Sequence, residues 1–324
     1  MSRRLRILTW HVHGNYLFNL TQVPHDFYLV RDEERSTHHT GRSGTLPWGE
    51  NVHDAPVERI RDMQFDVILF QSRQAWAADQ HVLLSDAQRA LPRIYLEHDP
   101  PQNHPTNTPH WVFDRNVLLV HVTHFNALMW DSGMTPTRVI EHGVQPLCEA
   151  RYDGTLERGI VVVNNIDRRG RRLGLDVHET VSRQVPLRLV GMGSERIGGD
   201  GEIAQQQLPQ VMAQHRFFFN PIRYTSLGLA VIEAMLVGLP VVALATTELA
   251  SVIRDGESGC VDTRLPRLVE AMHRMLREPG WARELGEAAR RMARERFHIS
   301  RFVRDWESAF AEVTACAPSR RLRK

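Results

Sequence analysis

An α/β fold of two Rossmann-like halves is what the order of elements along this chain predicts. Three observations carry that prediction. Short β-rich apolar runs alternate with amphipathic, helix-like stretches, which is the pattern of parallel sheets covered by helices. The alternation runs through twice, with a Gly- and Pro-containing stretch at residues 141–146 between the two series. The length, 324 residues, allows two domains, each with its own core.

In the first series the strand candidates are residues 5–9, residues 66–71, Arg93–Glu97 and Val117–His121, with a short one near 139–140. Residues 33–54 are rich in Gly, Ser, Thr and His without a clear period, and read as a loop or lid. In the second series residues 159–163, 187–191 and 216–220 read as strands. Residues 230–237 then read as a helix, stopped by Gly238 and Pro240, and 240–245 return to strand. Leu265–Arg277 and 281–297 are amphipathic helices, and 301–313 is a last helix. The expected domains are 1–146 and 147–299, with a helix at about 300–315 returning to the first.

Composition excludes several classes of protein. Hydrophobic residues make up 42% and charged residues 24%, ordinary for a globular chain. No window has the apolar length of a membrane span. Residues 1–10 read as a first strand and not as a signal peptide. The net charge of +2 gives no argument for a nucleic-acid partner, and the basic tail 320–324 reads as a solvated terminus. Cys148, Cys260 and Cys316 are too far apart for a disulfide framework or a zinc motif, which suits a reducing cytoplasm.

The most informative stretch is 221–243. It reads as strand end, loop, helix and strand, with Gly228 at the helix start, Leu229 after it and Glu233 about one turn in. A helix N-terminus offers free N–H groups to a phosphate or a hydroxyl-rich ligand, and glycine lets a ligand come close to the backbone. Earlier, Arg168, Arg169, Arg171 and Arg172 put four arginines into five residues after a strand. Guanidinium groups match phosphate oxygens and stabilise a diphosphate leaving group. Gly191 lies in the turn after a further strand, and Gly14 in the turn after the first. His98 stands just past the strand Arg93–Glu97, a position that faces a cleft.

The run Gly228-Leu229, Glu233-Ala234-Met235 and Gly238-Leu239-Pro240-Val241-Val242-Ala243 resembles the donor-site pattern of glycosyltransferase family 4, and 246–248 and 252–259 continue it. The resemblance covers most of 161–297. It implies the GT-B fold, two Rossmann-like domains facing an interdomain cleft, and a retaining enzyme that uses a nucleoside diphosphate sugar without metal or other cofactor. It implies that Glu233 binds the ribose hydroxyls, that Gly228 and Leu229 line the nucleotide, and that Gly191 belongs to a nucleotide-lining turn. It places His98 near the donor sugar.

The chain also departs from the family. A second glutamate usually stands eight residues before the first, on the donor sugar; here that position is Thr225. The family's Gly-Arg and Lys-Gly pairs become Asn164-Asn165 and Leu173-Gly174. Asn165, Arg168 and Arg172 are therefore the candidates at the diphosphate, and His98 and Thr225 the candidates at the reacting sugar. The expected acceptor is a glycan or glycolipid of the cell surface. The expected place is the cytoplasm, at the inner face of the membrane through peripheral contact. The rival reading is a catalytically silent relative that binds nucleotide or partners with another glycosyltransferase. Histidines crowd the first half, yet no spacing among them is a metal signature.

Overall fold

The computed structural model describes residues 3–315. Cys316 and the basic tail 320–324 lie outside the described residues, as do the first two residues of the expected first strand. The chain forms two compact units, one running to Gly143 and resuming at Ile299, the other spanning Val144–His298.

The first unit is built on seven parallel strands: β1 (Arg6–Thr9), β2 (Asp26–Arg31), β3 (Val52–Pro56), β4 (Val67–Phe70), β5 (Arg93–Glu97), β6 (Val117–His121) and β7 (Thr137–Val139), in the order β3-β2-β1-β4-β5-β6-β7. The central strands β4 and β6 are buried at every residue. Their continuous apolar runs are what a parallel sheet covered on both faces requires. The segment expected to be a loop through residue 54 instead enters β3 at Val52. That edge strand pairs only with β2 and carries Asp54 and Pro56. Pro is tolerated on such an edge, and the polar composition hides the strand from a reading of hydrophobic pattern.

The helix Ile299–Ala315 belongs to this unit. It buries Phe302, Trp306 and Phe310. Phe302 meets Tyr16 edge-on at 5.6 Å between ring centroids, and Phe310 meets Phe27 at 6.5 Å. Gly143 leaves room for Phe302, because a Cβ there would collide with its side chain. Arg138 ties the helix down at 2.8 Å to Glu312, and Arg301 donates to the carbonyls of Glu141 and His142.

The second unit holds five parallel strands: β8 (Leu156–Val162), β9 (Leu187–Val190), β10 (His215–Asn220), β11 (Val241–Leu244) and β12 (Gly259–Asp262), ordered β12-β11-β10-β8-β9. Successive residues feed opposite faces. Ile160, Phe218 and Val241 join one core cluster with Ile232, Met235 and Phe297, while Val161, Phe217, Phe219 and Val242 join the other with Leu268 and Met272. Burying the apolar side chains of one such layer contributes roughly 1.5–3 kcal/mol for each large residue. β10 also buries Arg216, whose guanidinium donates to the carbonyls of Gly154, Met275 and Leu276 at 2.9–3.2 Å. The last two lie at the C-terminal end of the helix Leu265–Arg277, where a cation also meets the negative end of the helix dipole. The helix Leu229–Val237 ends at Gly238, whose φ of 93° permits the left-handed turn, and Leu239 N–H returns to Ala234 O at 2.9 Å.

In a doubly wound sheet, ligands bind beyond the carboxyl ends of the strands where the strand order reverses. In the first sheet the reversal lies between β1 and β4, in the second between β8 and β10. Gly14 follows β1, Asn165 follows β8 and Thr225 follows β10, at those two places, while His98 follows β5 and Gly191 follows β9, each one strand further out.

Candidate active site

In the second unit the loops after β8 and β10 are laced together. The carbonyl of Arg172 accepts from the N–H of Arg223 at 3.0 Å and of Tyr224 at 3.3 Å, and Arg172 Nε donates to Tyr224 O at 3.2 Å. A Cβ on Gly174, where φ is 80°, would run into the Pro221 carbonyl. Arg172 is thereby drawn beside the segment that carries Thr225, which is half-buried between β10 and the following helix.

Asn165 takes a left-handed conformation, with φ of 51° and ψ of 40°, at the start of the short helix Ile166–Arg169. Asn is one of the few residues that adopt it readily. Its N–H donates to Met192 O at 2.7 Å, and Asn164 Oδ1 accepts from Met192 N–H at 2.8 Å. The turn after β9 is thus fastened to the turn after β8. Gly191, with φ of 131°, is required there: a Cβ would lie 2.5 Å from Val163 O.

The arginines of this loop play different parts. Arg171 pairs with Asp176 at 2.6 Å, and so does Arg223. The Arg223 guanidinium is the main reason the Asp176 carboxyl lies below its ordinary value. Arg171 is therefore already matched with a carboxylate, which sets it apart from the candidates Arg168 and Arg172. Arg168 lies exposed on the helix Ile166–Arg169. Leu173 is buried in the core beside Val163 and Ile166, so the place of the family's lysine is apolar packing here.

A basic group from another part of the chain does reach Asn165. Arg196 grips Asp167 with two hydrogen bonds of 2.7 and 2.8 Å and reaches Asn165 Oδ1 at 3.2 Å. It holds the Asp167 carboxyl down at about 2. The arginine-rich run gave no hint of Arg196, which stands alone in the sequence.

Gly228 caps the helix Leu229–Val237 with φ of −70° and ψ of 135°, a conformation any residue adopts. Nothing lies within 4 Å of where its Cβ would be. The glycine is needed neither by the backbone nor by the packing, and it leaves open space at a helix N-terminus. Leu229 is the first helical residue. Glu233 accepts from Gln205 Nε2 at 2.6 Å, and burial pushes its carboxyl up to about 7 against the lowering effect of that bond. A carboxylate kept uncomfortable in this way gains most from hydroxyl donors brought by a ligand.

In the first unit, Gly14 opens the helix Gly14–Leu20 after β1, and a Cβ there would come 3.0 Å from the His11 ring. His98 follows β5 and is buried. Its ring packs edge-on against His13 at 4.4 Å and Tyr16 at 4.9 Å. Burial, with His13 and His142 beside it, holds its pKa well below the usual histidine value. Gln71, at the end of β4, bonds His98 Nε2 at 3.0 Å. Nothing in the sequence around Gln71 marks this role, because its partners lie 27, 61 and 62 residues away along the chain. Among the described residues no group of three His, Cys, Asp or Glu converges as a metal site would need.

Asn165, Arg172, Gly191, Thr225, Gly228 and Glu233 thus gather at the carboxyl edge of one sheet, whereas Gly14 and His98 stand at the corresponding edge of the other. Two such parallel α/β units define the class of fold: it is that of the GT-B glycosyltransferases. Residues 162–278, which include the loops after β8, β9 and β10, match the family model described as glycosyl transferases group 1. No curated protein matches the chain.

Among solved structures, the sucrose-phosphate synthase of Thermosynechococcus elongatus is similar with a TM-score of 0.70 at 16% identity, covering 96% of this chain and 100% of that one. HepE of Anabaena, solved with UDP and glucose, has a TM-score of 0.70 at 13% identity, covering 95% and 100%. AviGT4, a glycosyltransferase of avilamycin A biosynthesis, has 0.64 at 14%, covering 96% and 98%.

Proposed function

We propose that the chain is a retaining, family 4-like glycosyltransferase that moves a sugar from a nucleoside diphosphate sugar to a glycan or glycolipid acceptor. The observation that carries this reading is the unfilled space at Gly228 beside the helix N-terminus and the half-buried Glu233. The group 1 match over the same segment supports it, as do similar folds solved with UDP.

In this reading Glu233 accepts hydrogen bonds from the ribose hydroxyls, and the helix N–H groups at Leu229 face phosphate oxygens. Arg172, with Arg168 and Asn165 nearby, offsets the charge that grows on the departing diphosphate. Thr225 offers a hydroxyl to the sugar, and His98 is the sugar contact from the first unit. The acceptor attacks the face from which the diphosphate leaves, and a phosphate oxygen takes its proton. No protein base and no metal are needed for that route. No described helix is long and apolar enough to cross a membrane, and we assign the protein to the cytoplasm, at the inner membrane face where a glycolipid acceptor lies.

A second reading has its own support. Leu173 in the core and Thr225 in place of a carboxylate fit a catalytically silent relative that binds nucleotide or serves a partner enzyme. Incubation of the purified chain with a panel of nucleotide sugars separates the two. Slow release of nucleoside diphosphate from one donor is the outcome for an enzyme. Silence toward every donor, with nucleoside diphosphate still bound in calorimetry, would establish the second reading instead.

A further inference from the structure

The hydrogen bonds around Gln71 determine which nitrogen of His98 carries the proton. The Gln71 side chain has one atom 2.9 Å from the carbonyl oxygen of Trp10 and 2.9 Å from Thr9 Oγ1. A carbonyl oxygen only accepts, so the atom facing it is the amide nitrogen. The amide oxygen then faces His98 Nε2 at 3.0 Å. An amide oxygen also only accepts, so Nε2 must donate. His98 is held neutral by its surroundings, and a neutral imidazole carries one hydrogen. Its Nδ1 is therefore bare. The backbone is fixed as well: Asn126 Nδ2 donates to His98 O at 3.1 Å, and Trp130 Nε1 to Asp99 O at 2.8 Å.

We infer that Gln71 is a positioning residue that locks His98 in the Nε2–H form, so that Nδ1 is a permanent acceptor for a hydroxyl of the ligand. The chain of bonds runs from the β1 backbone through the end of β4 to the residue after β5, across the reversal point of the first sheet. A ring locked in this form neither donates at Nδ1 nor carries charge. It suits a neutral polyol such as a sugar and gives a phosphate nothing to pair with. The consequence for a sugar rests on the proposed donor site, whereas the locked tautomer does not.

Long-range nitrogen–proton NMR of the histidine rings in the full chain tests the lock without any ligand, with His98→Gln used to assign the signals. The expected spectrum at pH 7 shows His98 with a protonated Nε2 and an unprotonated Nδ1. Gln71→Met, of similar length and unable to accept, should let the Nδ1–H form appear. Gln71→Glu should raise the His98 pKa, because a carboxylate beside Nε2 favours the cation. A wild-type spectrum with Nδ1 protonated, or with a charged ring at pH 7, overturns the inference, as does a Gln71→Met spectrum that keeps the wild-type tautomer. With UDP and UDP-glucose as probes, Gln71→Met should weaken UDP-glucose about tenfold and leave UDP unchanged. If wild type binds neither probe while the tautomer is as expected, the proposed donor is wrong and the lock stands.

Discussion

The carboxyl edges of the two sheets are built on opposite plans. At the end of the second sheet the loops are rich in arginine and paired carboxylates, with room left at Gly228. At the end of the first a neutral group is interlocked: Gln71 spans Thr9, Trp10 and His98, and His98 is kept from protonating. Charge suits a diphosphate, whose negative charge increases as it leaves. A fixed neutral acceptor suits hydroxyl groups. Under the proposed function, the second edge is the one suited to the anion of a nucleotide sugar and the first is suited to hydroxyl groups.

Two glycines give the sharpest way to break this comparison. Gly191→Ala forces a side chain onto a φ of 131° and against the Val163 carbonyl. It should cost roughly 2 kcal/mol or more in thermal unfolding. Gly228→Ser adds a Cβ into open space and supplies a favourable cap, so stability should change by less than about 0.5 kcal/mol. Binding of nucleoside diphosphate should nevertheless fall at least ~10-fold, the scale of one lost charged hydrogen bond. If Gly228→Ser binds as wild type does, the open space is not the phosphate site.

The arginines sharpen the comparison. Arg172→Met should weaken nucleoside diphosphate binding about tenfold and leave the nucleoside unaffected. Arg171→Met, whose guanidinium is already matched by Asp176, should change either by less than about twofold. Equal losses in both variants would mean that the loop acts through its net charge alone.

A smaller effect is expected from Glu233 in the absence of ligand. Its pKa rises on folding from 4.5 to about 7. Between those values the unfolded chain has already released its proton and the folded chain retains it. Stability therefore falls as pH rises through this window, and the penalty is complete above about 7. Glu233→Gln should raise the Tm by a few degrees at pH 8, an effect on the order of 1 kcal/mol, and change nothing at pH 4. A variant less stable than wild type at pH 8 would show that the Gln205 bond outweighs burial.

Much of the fold was legible because parallel strands buried on both faces are apolar throughout. β5, β6 and the helix Leu265–Arg277 fall on the residues the pattern indicates. The polar strand β3 and the four-residue β12 were not legible. Both are edge strands that need only one neighbour, so little in their composition marks them. β2 was missed as well, since Asp26 and Arg31 frame its apolar residues.

At the candidate site, local signals carried Gly228, Leu229 and Glu233, which lie within one short stretch. Arg196 and Gln71 were invisible because their meaning lies in partners about 30 to 60 residues away. The division of the arginines between Asp167, Asp176 and the loop after β10 has the same origin. A run of like charges indicates how much charge is present, and only packing decides how much of it is free for a ligand.

The central claim is that a nucleotide sugar is held by Glu233 and the loops at the carboxyl edge of the second sheet. Calorimetric titration of wild type and Glu233→Gln with uridine, adenosine and guanosine diphosphates tests it most directly. The account predicts that at least one of them binds wild type and that the variant binds it about 10- to 100-fold more weakly, the scale of lost hydrogen bonds to a charged group. No binding by wild type, or equal binding by both proteins, would contradict it.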